Sequence, residues 1–220
     1  MRTRVDAWQL RRHVVRVEFA GTGAVLGTGF FVAPDWVLTA AHVVCGAVHQ
    51  VELDQVVVVP ADASVGGDAV VADVASRSAP PAGAVLWPYP DLALLRLHGT
   101  AGWVATHSCV WLDGGQPLGK ECHAFGFPPR EDGVAPVGAP ASFVFEGVTG
   151  DEFFQLKAGQ AAPGLSGGPG VPEGLAGHAG ASPRLARRAA DRRPDDLAER
   201  PRTHEPLLSL LVHSGDPSSR

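Results

Sequence analysis

Up to about residue 157 the chain is a series of short apolar runs, cut every few residues by glycine, proline or aspartate. Runs rich in Val, Phe and Leu fall at 13–19, 25–32, 36–39, 51–59, 69–74, 84–87 and 92–97. A second set follows at 109–112, 121–127, 142–148 and 153–157. Helical periods are few, and evenly spaced runs of strand length predict an all-β protein, a sandwich or a barrel. Residues 131–140 read as a loop, and no repeat of fixed period is present. One helical turn is expected at His42-Val43-Val44, directly after the apolar stretch Trp36-Val37-Leu38-Thr39.

The pattern breaks at Pro169. Residues 170–220 carry no Phe, Tyr or Trp, all their basic residues are Arg, and Ala, Arg, Pro, Gly and Asp fill most of the positions. No segment there alternates over a strand length. Leu207-Leu208-Ser209-Leu210-Leu211-Val212 alone is apolar enough for a buried strand, and 185–200 suits a short helix broken at Pro194. Such a composition buries little core and leans towards disorder. The tail is therefore expected to differ in kind from what precedes it. A translated frame shift or truncation accounts best for so sharp a change. A charged linker to a partner or lost module, and a divergent closure of the fold, are the other two readings.

Composition narrows the function classes. A net charge of -5 gives no case for nucleic acid binding. No run approaches the length needed to span a membrane. Met1-Arg2-Thr3-Arg4-Val5-Asp6 has no apolar stretch behind its arginines, so a cytoplasmic protein without a secretory signal is expected. Three cysteines (Cys45, Cys109 and Cys122) make an odd number without metal-type spacing. They read as reduced, mostly buried thiols, and a bond between Cys109 and Cys122 has no support. Neither a metal-ligand set nor a phosphate-binding loop is visible, so no metal and no cofactor is expected.

Three segments carry candidate chemistry. Gly27-Thr28-Gly29-Phe30-Phe31-Val32 leads into Leu38-Thr39-Ala40-Ala41-His42. Asp91 heads Leu92-Ala93-Leu94-Leu95-Arg96-Leu97, and Ser166 lies in Gly164-Leu165-Ser166-Gly167-Gly168-Pro169. Taken singly, Asp91 could cap a turn and Ser166 could sit in a plain glycine turn. Asp73 and Asp54 are weaker acids for the same role, since neither heads such a strand. His13, His49, His98, His107, His123, His178, His204 and His213 read as surface or satisfied residues.

Taken together, in the chain order His, Asp, Ser, these segments resemble the trypsin-like (chymotrypsin-fold) serine peptidases of the bacterial kind, over about residues 13–169. The resemblance implies two antiparallel six-stranded Greek-key barrels with the active site between them. The first would span 10–100 with His42 and Asp91, the second 101–169 with Ser166, and 170–220 would be the atypical tail. Because that tail lacks strand pattern, the second barrel is expected to be incomplete. The resemblance also implies Ser166 as nucleophile, His42 as base, Asp91 as its orienting acid, and the N–H groups of Gly164 and Ser166 as the oxyanion hole. Leu165 departs from the aspartate that many relatives carry. Gln160, six residues before Ser166, is the implied base of the S1 pocket, where a neutral amide would not select Arg or Lys. A protein or peptide substrate follows, and a regulatory or effector partner by analogy with fused relatives. The alternative is an inactive peptidase-like binding module crippled by its C-terminus. An esterase with the same triad is a third option.

Overall fold

The structure, a computed structural model, describes residues 7–45, 52–62, 68–79, 91–98, 109–113, 118–128, 136–148, 154–157, 159, 161–172 and 178–180. A 3-10 helix, Ala7–His13, opens it. Six strands follow: β1 Val14–Glu18, β2 Val25–Ala33, β3 Trp36–Thr39, β4 Gln55–Pro60, β5 Val70–Arg77 and β6 Ala93–Leu97. One helical turn, α1 Ala41–Val44, comes between β3 and β4, where the sequence places it. The six strands close into an antiparallel barrel in the order β1-β2-β3-β6-β5-β4. Four neighbours in it, β4-β1-β2-β3, form a Greek key.

Period-2 alternation explains the closure. Val56 and Val58 of β4, Ala72 of β5 and Ala93, Leu95 and Leu97 of β6 point into one core with Val15, Val17, Phe31 and Val37. Arg96, between Leu95 and Leu97, faces out and lies over the Trp36 ring. Fully burying each such Val, Leu or Phe side chain contributes about 1.5–3 kcal/mol.

The second unit contains β7 Trp111–Asp113, β8 Glu121–Gly126, β9 Ala139–Val148, β10 Phe154–Lys157, β11 Gly170–Pro172 and β12 His178–Gly180. Four of these form an antiparallel sheet in the order β10-β9-β8-β11. This repeats the order β3-β2-β1-β4 of the barrel. The strands that close the first barrel, β5 and β6, have no counterpart in this sheet among the described residues. Among the described residues the second unit is therefore a partial sheet. Separately, β12 pairs in parallel with β7, His178 opposite Trp111.

Both faces of β1 are buried because it serves two cores. Val15 and Val17 fill the barrel. Val14 joins Leu10, Phe30, Val110, Phe125, Phe127 and Val171 in a second cluster that joins barrel to sheet. Arg16 and Glu18, also on β1, pair with each other at 2.5 Å. Arg16 also donates to the Pro136 carbonyl and lies 5.6 Å from the centroid of the Phe127 ring. Apolar packing and these contacts of Arg16 with Pro136 and Phe127 join the two units.

Two sequence expectations change here. Ala139 and Pro140 belong to β9, not to a loop. The proline is tolerated because β10 pairs with β9 only from Val144 to Val148, leaving Pro140 at an edge position. Residues 170–172, assigned to the tail, form β11 on β8, with Val171 fully buried opposite His123. A three-residue strand is too short to show alternation. The expected strands at 84–87 and 207–212 and the helix at 185–200 lie outside the described residues. No helix among the described residues is long and apolar enough to cross a membrane.

Candidate active site

The pairing of β3 with β6 brings the first two candidates together. Thr39, at the end of β3, lies opposite Ala93, at the start of β6. The strands are antiparallel, so His42, three residues past Thr39, and Asp91, two residues before Ala93, emerge at the same end. Ala40 is extended and Ala41 starts α1. Ala41, Val43 and Val44 are buried, which fixes the turn, while the His42 side chain remains 34% exposed.

Asp91 holds His42 at two points. Its Oδ2 lies 2.6 Å from His42 Nδ1, and its Oδ1 accepts the His42 backbone N–H at 3.0 Å. The carboxylate is 3% exposed. A shielded carboxylate facing Nδ1 favours the tautomer protonated there, which leaves Nε2 able to take a proton. Asp73 and Asp54, the weaker candidates, are elsewhere. Asp73 sits on the barrel surface with Gln55 and His98, and hydrogen bonds from both hold its carboxyl below the usual range. Asp54 is exposed near Arg77.

Ser166 is half-buried on a turn that only glycine permits at two points. Gly164 has φ +88, and a Cβ there would lie 2.0 Å from the Phe127 carbonyl oxygen. Gly167 has φ +82, and its Cβ would meet the Thr28 carbonyl oxygen at 2.1 Å and the Ala40 nitrogen at 3.0 Å. The Ser166 turn therefore sits on β2 and on the backbone two residues before His42. The Leu165 carbonyl accepts the Gly168 N–H at 3.0 Å and so faces into the turn. In a trans peptide the N–H opposes the C=O, so the Ser166 N–H faces away from Gly168. Gln160 lies outside the described residues.

Two residues were missed as contributors. Thr28 and Thr39 stand inside the quoted motifs, yet nothing in the one-dimensional pattern says what their hydroxyls meet. Thr28 Oγ1 donates to the Gly164 carbonyl at 2.6 Å, and Thr28 N–H donates to the Ser166 carbonyl at 2.9 Å. Thr39 Oγ1 donates to the Thr28 carbonyl at 2.6 Å.

Residues 27–173, about two thirds of the chain, match the trypsin-like peptidase domain family. The chain belongs to that family. The general class is thus a serine protease. The match begins at the Gly-Thr-Gly segment and runs four residues beyond Pro169, so it takes in β11. Solved peptidases share the fold. The inactive form of the Rv3671c protease is 21% identical, with a TM-score of 0.53 over 79% of this chain and 76% of that one. The Ser343Ala mutant of Rv3671c from M. tuberculosis H37Rv gives 20% identity, 0.53, 79% and 74%. The HtrA-type protease AlgW with a decapeptide gives 19% identity and 0.53 over 80% of this chain and 57% of that protein. No curated protein matches the chain.

Leu165 is 4% exposed and packs with Ala124 and Phe143, so it is part of the apolar filling of the second sheet. All three cysteines are free. Burial raises each thiol, Cys122 to about 11. Among the described residues no group of three or more His, Cys, Asp or Glu side chains is placed to hold a metal.

Proposed function

We propose that the chain is a serine endopeptidase that hydrolyses peptide bonds through an acyl-enzyme. Ser166 is the nucleophile, His42 the base and then the acid, and Asp91 the residue that orients and stabilises the imidazolium. The two-point hold of Asp91 on His42 carries the reading. A carboxylate that only capped a turn would have no reason to engage both the backbone N–H and Nδ1 of one histidine.

The chemistry follows from these roles. A serine hydroxyl is a poor nucleophile near neutral pH, so His42 Nε2 takes its proton as Oγ attacks the carbonyl. The tetrahedral oxyanion is assigned to the N–H groups of Gly164 and Ser166. Losing one such donor typically costs about 2.7–4 kcal/mol of transition-state stabilisation. His42 then protonates the leaving amine, and water repeats the cycle to release the acid. Gln160 is assigned the base of the S1 pocket on its position before Ser166. The three free thiols fit a reducing compartment, and a cytoplasmic setting and a regulatory partner belong to the same proposal.

One observation favours a second reading. The second sheet has four strands where the first barrel has six. A module with an unclosed second unit could bind peptides without cleaving them. Fluorophosphonate labelling of the purified chain, with Ser166→Ala as control, separates the two. Labelling that disappears in the variant supports the peptidase. A folded chain that never labels overturns it and leaves the binding module.

A further inference from the structure

We propose that Thr28 is a positioning residue for the nucleophile turn, acting through its hydroxyl on Gly164. This rests on the peptidase reading above. Thr28 is fully buried, and each of its polar groups engages one of the two catalytic segments. Its hydroxyl and its N–H bond the carbonyls of Gly164 and Ser166. Its carbonyl accepts the hydroxyl of Thr39, three residues before His42. One residue of β2 thereby ties the turn carrying the nucleophile to the strand leading to the base.

A valine would fill the same space. What the hydroxyl adds is direction. The Gly164 carbonyl has one other donor among the described residues, the Phe127 N–H, at a longer 3.2 Å. Gly164 itself holds φ +88, which glycine reaches as readily as negative values, so its neighbours select it. The Gly164 carbonyl shares its peptide plane with the Leu165 N–H, and the next plane carries the Ser166 N–H. If the first plane swings, the second follows, and the oxyanion donor and Oγ leave their positions. Such an error acts in the transition state more than on ground-state binding, so kcat falls while KM holds.

The test uses the full chain with Thr28→Val, Thr28→Ser and Thr39→Val. Expected for Thr28→Val is a kcat on a peptide ester lower by about 10- to 100-fold, with KM nearly unchanged. Thr28→Ser, which keeps the donor, restores most of the rate. Hydrogen exchange of the amides at 164–168 accelerates in Thr28→Val and not in Thr28→Ser, while the amides of β4 and β5 keep their rates. Equal rates in Thr28→Val and the parent overturn the proposal. So does equal impairment of the valine and serine variants. If the parent chain never labels with fluorophosphonate, the peptidase reading fails and exchange alone decides on Thr28. Unchanged exchange at 164–168 then refutes the positioning role, and faster exchange sustains it. Should Thr28→Val not fold, Thr39→Val is read in its place for the same signature at smaller amplitude.

Discussion

Cys122 lies on β8 with its thiol buried, and burial pushes that thiol from the ordinary value of 9.0 up to about 11. Nearby Glu121 adds to the rise, while a backbone hydrogen bond at Phe145 opposes it. The folded chain therefore holds this proton more tightly than the unfolded chain does. The stability it contributes is complete below about pH 9 and is lost as pH rises towards about 11. Burial moves Cys45 and Cys109 the same way. We predict that the urea midpoint of the full chain declines between pH 9 and 11, and that Cys122→Ala declines less steeply. Parallel curves for the two proteins would show that the thiol is not held as described. At this scale the triad candidates were legible because each sits in a distinctive frame. Asp91 heads a strand that pairs beside His42, whereas Asp73 and Asp54 lie on the outside of the barrel. The Thr28 hydroxyl was not legible, since its partner Gly164 is 136 residues away and only the folded backbone brings them together.

The turn carrying Ser166 is held from both sides, by Thr28 beneath and by Leu165 within. Leu165 packs with Ala124 and Phe143, and with Ala141, Leu156, Ala161 and Ala162 around them. An aspartate there would put a charge among apolar side chains without a partner. We predict that Leu165→Asp destabilises the chain by about 3 kcal/mol or more near neutral pH. The loss should be smaller near pH 4, where a carboxyl displaced upward by burial is neutral. Leu165→Met, which keeps shape and polarity, should cost under about 1.5 kcal/mol. Urea unfolding of the three proteins at both pH values decides it. An aspartate variant as stable as the methionine one would mean that this position is not buried in the fold. Strand legibility followed length and alternation. The strands of the first barrel were marked by valine-rich runs, as in Val56-Val57-Val58-Val59. β9 was entered late because Pro140 reads as a breaker, and β11 and β12 were missed because, unlike β7 in its apolar run at 109–112, both lie among glycines and prolines.

Across the whole molecule the two units share a strand order but not a closure. In the first barrel every strand pairs on both sides, so opening any one breaks two ladders. In the second sheet, β10 pairs only with β9 and β11 only with β8 among the described residues. An edge strand loses one ladder when it leaves, where a barrel strand loses two. Local opening free energies should therefore rank with pairing. We predict that amides of β1, β2 and β3 exchange only through global unfolding, with the slowest rates in the chain. Amides of β10 and β11 should exchange through smaller openings that respond weakly to urea. β8 should lie between, because β9 and β11 flank it and Phe125 anchors it in the cluster shared with the barrel. Native-state hydrogen exchange in increasing urea gives each amide its own slope and intercept. Equal slopes across both units would mean that they unfold as one, and that the four-stranded sheet borrows the full stability of the barrel. Shallow slopes confined to β10 and β11 would place the weak side of the fold in the sheet that carries the Ser166 turn. That turn would then open before the barrel does. Fluorophosphonate labelling along the same urea series should fall off ahead of the barrel's unfolding transition.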